Sequence, residues 1–201
     1  MRKIAIDVVL LLPEEVEDKA IAINKELVKI GPENIIFERE KCVPHASLCM
    51  AVIDEKDLNK IENVLKEILR NFDKLHLEIL GIKSKINPLG KISNSFDIAK
   101  DKELQRLHEE IMIKLSPFFH KEAAEENFFL PLKYRELTIR WTEEYPETSA
   151  FEKFKPHVSL GFGELQENVA PFSFTRSRIA VFQMGDYCTC KKKLIELGMP
   201  V

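Results

Sequence analysis

The chain has 201 residues, 45% of them hydrophobic and 31% charged, a balance that suits a folded globular protein and excludes a fibre or a disordered tail. Thirty basic and 33 acidic side chains leave a formal charge of -3. That argues against a broad basic face for duplex DNA but leaves open a recessed site for a nucleotide or a strand end, which needs only a few local donors.

Ile4 to Leu12 is a continuous apolar run broken by Asp7, consistent with a buried strand. Pro13 then opens a helix whose first turn carries Glu14 and Glu15, with Val16, Ala20, Ile23 and Leu27 at helical spacing until Gly31-Pro32 stops it. Val43 to Val52 alternates as a strand. Asp54 is the expected cap of a second helix bearing Leu58, Ile61, Leu65 and Leu69. Strands are predicted at Leu75 to Ile82 and Ile92 to Ile98, then a third helix from Asp101 with Leu104, Leu107, Ile111 and Leu115 inward. Phe118 to Ser149 shows no clear period and reads as a long excursion or partly as edge strand. His157 to Phe162 and Ile179 to Phe182 are further strands. The order indicates an α+β protein rather than a doubly wound parallel sheet.

Cys42, Cys49, Cys188 and Cys190 are too sparse for a disulfide framework, and no apolar run approaches the roughly 20 residues that span a bilayer. Met1-Arg2-Lys3 precedes an apolar stretch, but no small-residue cleavage site follows it. The expectation is a soluble, cytoplasmic chain with reduced thiols and no membrane partner.

One internal echo carries the functional signal. Pro44-His45-Ala46-Ser47-Leu48 recurs as Pro156-His157-Val158-Ser159-Leu160, with Phe-Glu and a lysine shortly upstream of each copy. The copies are 112 residues apart, far beyond a solenoid period, and fit one equivalent strand in each of two similar lobes. Alternation along a strand puts His45 and Ser47 on one face, with Leu48 and Met50 behind. It likewise puts His157 and Ser159 in front of Val158, Leu160 and Phe162. Folding alone does not require a histidine and a hydroxyl on the same face twice. If the two front faces meet, the cleft holds two imidazoles and two hydroxyls.

These paired tetrads resemble the signature of the two-histidine (2H) phosphoesterases, in particular their 2′-5′ RNA ligase-like and cyclic phosphodiesterase branches; relatives often carry Thr where both copies here carry Ser. The resemblance spans most of residues 1–201 and implies one bilobal, pseudo-symmetric domain. It has two antiparallel-rich sheets forming a central cleft, helices outside, the His45 motif on one lobe and the His157 motif on the other. It implies metal-independent phosphodiester chemistry on RNA ends or small cyclic nucleotides, with no cofactor. His45 and His157 would be acid and base, since an imidazole of ordinary pKa near 6.5 can serve either role about neutral pH. Ser47 and Ser159 would donate to the non-bridging phosphate oxygens.

Arg140, Trp141 and Tyr145 are candidates for phosphate pairing and base stacking at the rim, against the plainer reading of a surface arginine and core aromatics. Lys155 is weighed the same way. His108-Glu109 lacks the second histidine of a zinc helix, because position 112 is Met112, and reads as a core-edge histidine. His76 and His120 have no partner motif. Cys188-Thr189-Cys190 places two thiols on one strand face. With His45 and Cys49 they make a zinc hydrolase conceivable without the usual Cys-x-x-Cys spacing. Lys191-Lys192-Lys193 reads as a solvated turn. The runner-up function is a nucleotide- or RNA-end-binding regulatory module with little turnover.

Overall fold

The computed structural model describes residues 2–31, 34–166, 168–176 and 178–199. Strands are β1 (Lys3–Leu11), β2 (His45–Asp54), β3 (Leu75–Ile86), β4 (Ile92–Ile98), β5 (His157–Phe162), β6 (Phe172–Arg176), β7 (Arg178–Met184) and β8 (Cys190–Gly198). Helices are α1 (Glu14–Ile30), α2 (Leu58–Leu69), α3 (Lys102–Leu115) and α4 (Arg135–Thr148). The strands form one antiparallel sheet in the order β6-β3-β4-β5-β2-β1-β7-β8. Thus the two antiparallel halves expected from the sequence are both formed, but β5 and β2 join them edge to edge through one pair, Ala46 with Val158.

β1 shows why its run is apolar throughout. Ile4, Ile6, Val8 and Leu10 enter the large core shared with α1, α2 and α3, while Ala5, Val9 and Leu11 enter two smaller clusters on the other face of the sheet. A strand covered on both sides loses the usual polar alternation. Asp7 is the exception and is fully buried. α3 starts where the sequence places it, with Asp101 accepting from Leu104 N at 2.7 Å. Asp54 does not cap α2 itself. It precedes a short 3₁₀ turn, and α2 begins after Asp57. α1 ends against Gly31, whose N–H reaches Leu27 O at 3.0 Å; Pro32, the other half of that stop signal, and Met1 lie outside the described residues.

Three expectations are corrected. The stretch read as irregular contains α4, whose buried face is Leu137, Thr138, Thr142 and Tyr145 rather than an aliphatic stripe. Its threonines satisfy themselves, with Thr138 Oγ1 donating to Tyr134 O and Thr142 Oγ1 to Thr138 O, both at 2.9 Å, so a polar-looking face can be buried. Lys191, Lys192 and Lys193 lie within β8 rather than in a turn, and Cys188 sits in a 3₁₀ turn before Cys190 opens that strand. Finally, Met50 and Phe162 do not lie behind the motif histidines.

The last correction has a single cause repeated twice. Opposite β2, Val8 pairs with Cys49 and Val9 with Ser47, so Leu48 is an inserted residue; opposite β5, Asn94 pairs with Gly161 and Ser95 with Ser159, so Leu160 is inserted. Each bulge resets the alternation, and Met50 and Phe162 come round to the histidine face. A bulge also frees a carbonyl, which must find a donor. His108 Nδ1 on α3 takes Leu48 O at 2.7 Å, and Asn24 Nδ2 on α1 takes Leu160 O at 2.9 Å. The repeated sequence is therefore a repeated structure, a bulged strand locked by one buried polar side chain from a helix behind it. No helix among the described residues is long and apolar enough to cross a membrane.

Candidate active site

The Ala46–Val158 pair fixes the geometry of the centre. The residues flanking it, His45 and Ser47 on β2 and His157 and Ser159 on β5, project to the opposite face from Ala46 and Val158. In the antiparallel register His45 faces Ser159 and Ser47 faces His157, an approximate two-fold arrangement about the pair. All four line a cleft of about 770 Å³.

Both imidazoles are held alike. His45 Nδ1 is 2.7 Å from Val43 O, and His157 Nδ1 is 2.9 Å from Lys155 O. A carbonyl can only accept, so Nδ1 carries the proton in each ring and Nε2 is left for chemistry. Their surroundings differ. His45 is nearly enclosed, with its side chain 11% exposed, whereas His157 is exposed to the cleft. Burial works against a charge on His45. Even so, the Asp7 carboxylate 3.5 Å from Nε2, with the Val43 carbonyl, outweighs burial and raises its pKa above the ordinary 6.5. For His157, the low hydration imposed by the surrounding walls is the main cause of a pKa below 6.5, with Lys85 and His45 adding like charge.

The hydroxyls differ too. Ser47 Oγ donates to Asp7 Oδ2 at 2.6 Å. Ser159 lies opposite Ser95 and faces the cleft. α4 supplies one wall through Trp141, Tyr145 and Thr148, which recur at helical spacing. Tyr145 is only 6% exposed and packs mainly into the core, while Trp141 meets Tyr187 edge-on at 4.7 Å. Tyr187 also meets Phe162 at 4.9 Å and accepts from Asn87 Nδ2 at 3.1 Å. Arg140 points outward, is exposed, and is not part of the cleft lining. Lys155 lines the cleft together with Lys85 and Lys153.

Asp7, Lys85 and Tyr187 escape a reading of the sequence. Lys85 lies in the polar end of β3 and Tyr187 in a turn, with no spacing to mark either. Asp7 did carry a signal, as a charge in the middle of an apolar strand.

His108 is structural. Its Nε2 accepts from Phe151 N at 2.8 Å while Nδ1 donates to Leu48 O, which fixes a neutral ring stacked 4.0 Å from Phe154. Burial accordingly lowers its pKa. His76 is paired with Thr175, and His120 with Asp54. All four cysteines are buried free thiols. The zinc set considered, Cys49, Cys188 and Cys190 with His45, does not assemble, since Cys49 faces the core behind the sheet. Among the described residues a different trio converges, with donor atoms of Asp7, His45 and Cys190 within 4.8 Å of one another. Ser47 already engages Asp7, and burial holds the Cys190 thiol well above its ordinary pKa, so the trio reads as an acid–base pair beside a protonated thiol.

No family model matches the chain and no curated protein does. Solved structures do match. TT0787 of Thermus thermophilus aligns over 98% of both chains with a TM-score of 0.59 at 17% identity. E. coli LigT complexed with 3′-AMP aligns over 100% of both chains with a TM-score of 0.53 at 10% identity. The chain has the LigT fold. A second LigT structure, complexed with NADP+, aligns over the full length of both chains with a TM-score of 0.50 at 10% identity. The LigT fold is therefore matched across the whole length, which agrees with the resemblance to two-histidine phosphoesterases drawn from the tetrads.

Proposed function

We propose that the chain is a two-histidine phosphoesterase that opens 2′,3′-cyclic phosphates, on RNA ends or small cyclic nucleotides, by paired acid–base catalysis without a metal. The observation that carries this reading is the face shared by His45, Ser47, His157 and Ser159, with both Nδ1 atoms tied to carbonyls and both Nε2 atoms left for proton transfer. A single phosphate between the rings would meet one nitrogen on the side of the attacking water and the other on the side of the departing ribose oxygen. Lys85, Lys153 and Lys155 suit an anion, and the Trp141–Tyr187 corner suits a base. LigT complexed with 3′-AMP supports a small nucleotide as ligand. The same apparatus, with the 5′-hydroxyl of a second RNA end in place of water and the 3′-oxygen as the protonated leaving group, would join RNA ends through a 2′-5′ bond. The formal charge of -3 favours a short or terminal substrate over long RNA. Four buried free thiols fit a reducing, cytoplasmic setting.

The test is hydrolysis of 2′,3′-cyclic AMP by purified protein in the presence of a strong chelator, with binding measured on the same preparation. Turnover to a phosphomonoester that survives chelation is expected. Binding without turnover would establish the regulatory module instead, and chelator-sensitive turnover would establish a metal enzyme.

A difference between the two hydroxyls follows. A serine has one proton to give, and Ser47 directs its own at Asp7. Ser159 is then the hydroxyl that stabilises the non-bridging oxygens, and Ser159→Ala should lower kcat by about 10- to 1000-fold, as for loss of one transition-state donor. Ser47→Ala should cost less. Steady-state kinetics of the two variants side by side check the order.

A further inference from the structure

Asp7 lies where the fold has least use for a charge. It sits in the middle of β1, between Met50 of β2 and Phe182 of β7, and is fully buried. The neighbours that share its face along β1, Ala5 and Val9, are apolar. Its Oδ1 is buried without a hydrogen-bond partner. Burying a carboxylate is costly, the more so with one oxygen left unmatched, and packing does not ask for it. A costly group kept beside a reactive one points to a role in the reaction.

The two motif copies are alike in backbone and opposite in electrostatics. Beside His45, Asp7 Oδ2 stands 3.5 Å from Nε2. Opposite His157, Asp97 of β4 is drawn off by Lys83 at 3.5 Å, and Lys85 adds positive charge. We infer that Asp7 divides the labour between the histidines, holding His45 as the proton donor to the leaving oxygen and leaving His157 to act as the base. This rests on the phosphodiesterase reading above and deepens it.

The step balances as follows. The oxygen of water bonds to phosphorus as its proton passes to His157 Nε2. The bond from phosphorus to one ribose oxygen breaks, and the electron pair left on that oxygen takes the Nε2 proton of His45. A ribose phosphomonoester results, with His157 charged and His45 neutral, and exchange with solvent restores both. Asp7 touches His45 and Ser47 rather than phosphate, so it is a positioning residue. At 3.5 Å its oxygen is too far from Nε2 for a tight hydrogen bond, so the carboxylate stabilises the imidazolium without tying up its proton.

The charged and titratable groups facing His45 are Asp7 from β1, Cys190 from β8 and His157 from β5; those facing His157 are Lys85 from β3, Asp97 from β4 and His45, with Glu152, Lys153 and Lys155 of the segment before β5 on the wall of the same cleft. Tyr145 of α4 and Cys49 approach Asp7, and burial raises both of their pKa values, favouring neutral forms that leave the local charge unchanged. Burial raises the Asp7 carboxyl as well, against the pull of His45 and Ser47, so Asp7 and His45 titrate as a pair. The directions agree with the assignment. An acid must be protonated, and a raised pKa keeps His45 so to a higher pH. A base must be neutral, and a lowered pKa makes His157 so from a lower pH. The pair with His45 charged and His157 neutral is therefore favoured over the exchanged pair, which the opposite assignment would need.

The test follows both imidazoles by NMR across pH in the natural chain and in Asp7→Asn, with kcat and KM for 2′,3′-cyclic AMP in parallel. In the natural chain His45 should titrate above His157. In Asp7→Asn the His45 midpoint should fall by about one pH unit or more, His157 should barely move, and the falling limb of kcat should shift to lower pH with KM little changed. A natural chain in which His45 titrates at or below His157, or a variant with an unmoved His45 midpoint, overturns the inference. Should Asp7→Asn not fold, the order of titration in the natural chain still decides. Absence of any turnover would defeat the phosphodiesterase reading, while the titrations would still report on Asp7.

Discussion

Replacing either motif histidine by alanine should reduce kcat for a 2′,3′-cyclic nucleotide by about 10²- to 10⁴-fold, the range expected when a positioned proton-transfer group is lost. The two losses should differ in character. With His45→Ala the leaving oxygen departs without a proton, so a substrate with a nitrophenolate leaving group, which needs none, should recover much of the rate. With His157→Ala the attacking water is not activated, and the better leaving group should not compensate. Assaying both variants on a cyclic nucleotide and a nitrophenyl phosphodiester gives the pattern directly. A variant near the natural rate on the cyclic nucleotide would contradict paired catalysis. Stability should separate the sites as well. His157 is exposed, so its truncation should stay within about 0.5 kcal/mol, whereas His45→Ala strips a buried carboxylate of its cation and should cost more.

What the sequence displays and what it hides divide along physical lines. β4 and β5 have the bounds that alternation predicts, and α3 has its cap, because each is read from one covered face and local turn chemistry. The paired tetrads were visible because strand repeats copy their residues. The bulges within them were not, since an inserted residue leaves no mark on composition; only the register shows that Leu48 and Leu160 stand without opposites. α4 was hidden by threonines that bury their hydroxyls against their own helix, and by Pro146 within its last turn. β8 was hidden by three lysines on a strand at the edge of the sheet, where charge is tolerated and discourages pairing with another chain. Asp7 could have been found. A carboxylate amid nine residues of β1 whose other interior members are all apolar breaks the local pattern, and such breaks gather at working sites.

The second large effect should come from a residue distant from the chemistry. Asn24 occupies the inward stripe of α1, four residues after Ala20 and three before Leu27, a polar group on an apolar face. Its amide donates to Leu160 O at 2.9 Å and to Ile35 O at 2.8 Å, and its oxygen accepts from Phe37 N at 2.9 Å. One side chain thus closes the carbonyl that the β5 bulge frees and ties down the segment leading to β2. Gly161 permits this approach. Its φ is +128°, and a Cβ there would stand 2.7 Å from Asn34 Oδ1 and 3.1 Å from Asn24 Nδ2. Asn24→Leu fills the volume but leaves buried backbone groups unmatched, so it should destabilise the fold by on the order of 3–5 kcal/mol. That is a large part of the roughly 5–15 kcal/mol available to a domain. Urea unfolding measures it, and a loss under about 1 kcal/mol would show that the bulge carbonyl can find another donor. In the folded fraction, the strand released is the one carrying His157 and Ser159, while β2 keeps its lock through His108. The cost to kcat should therefore follow the base side of the reaction, and a nitrophenolate leaving group should not relieve it.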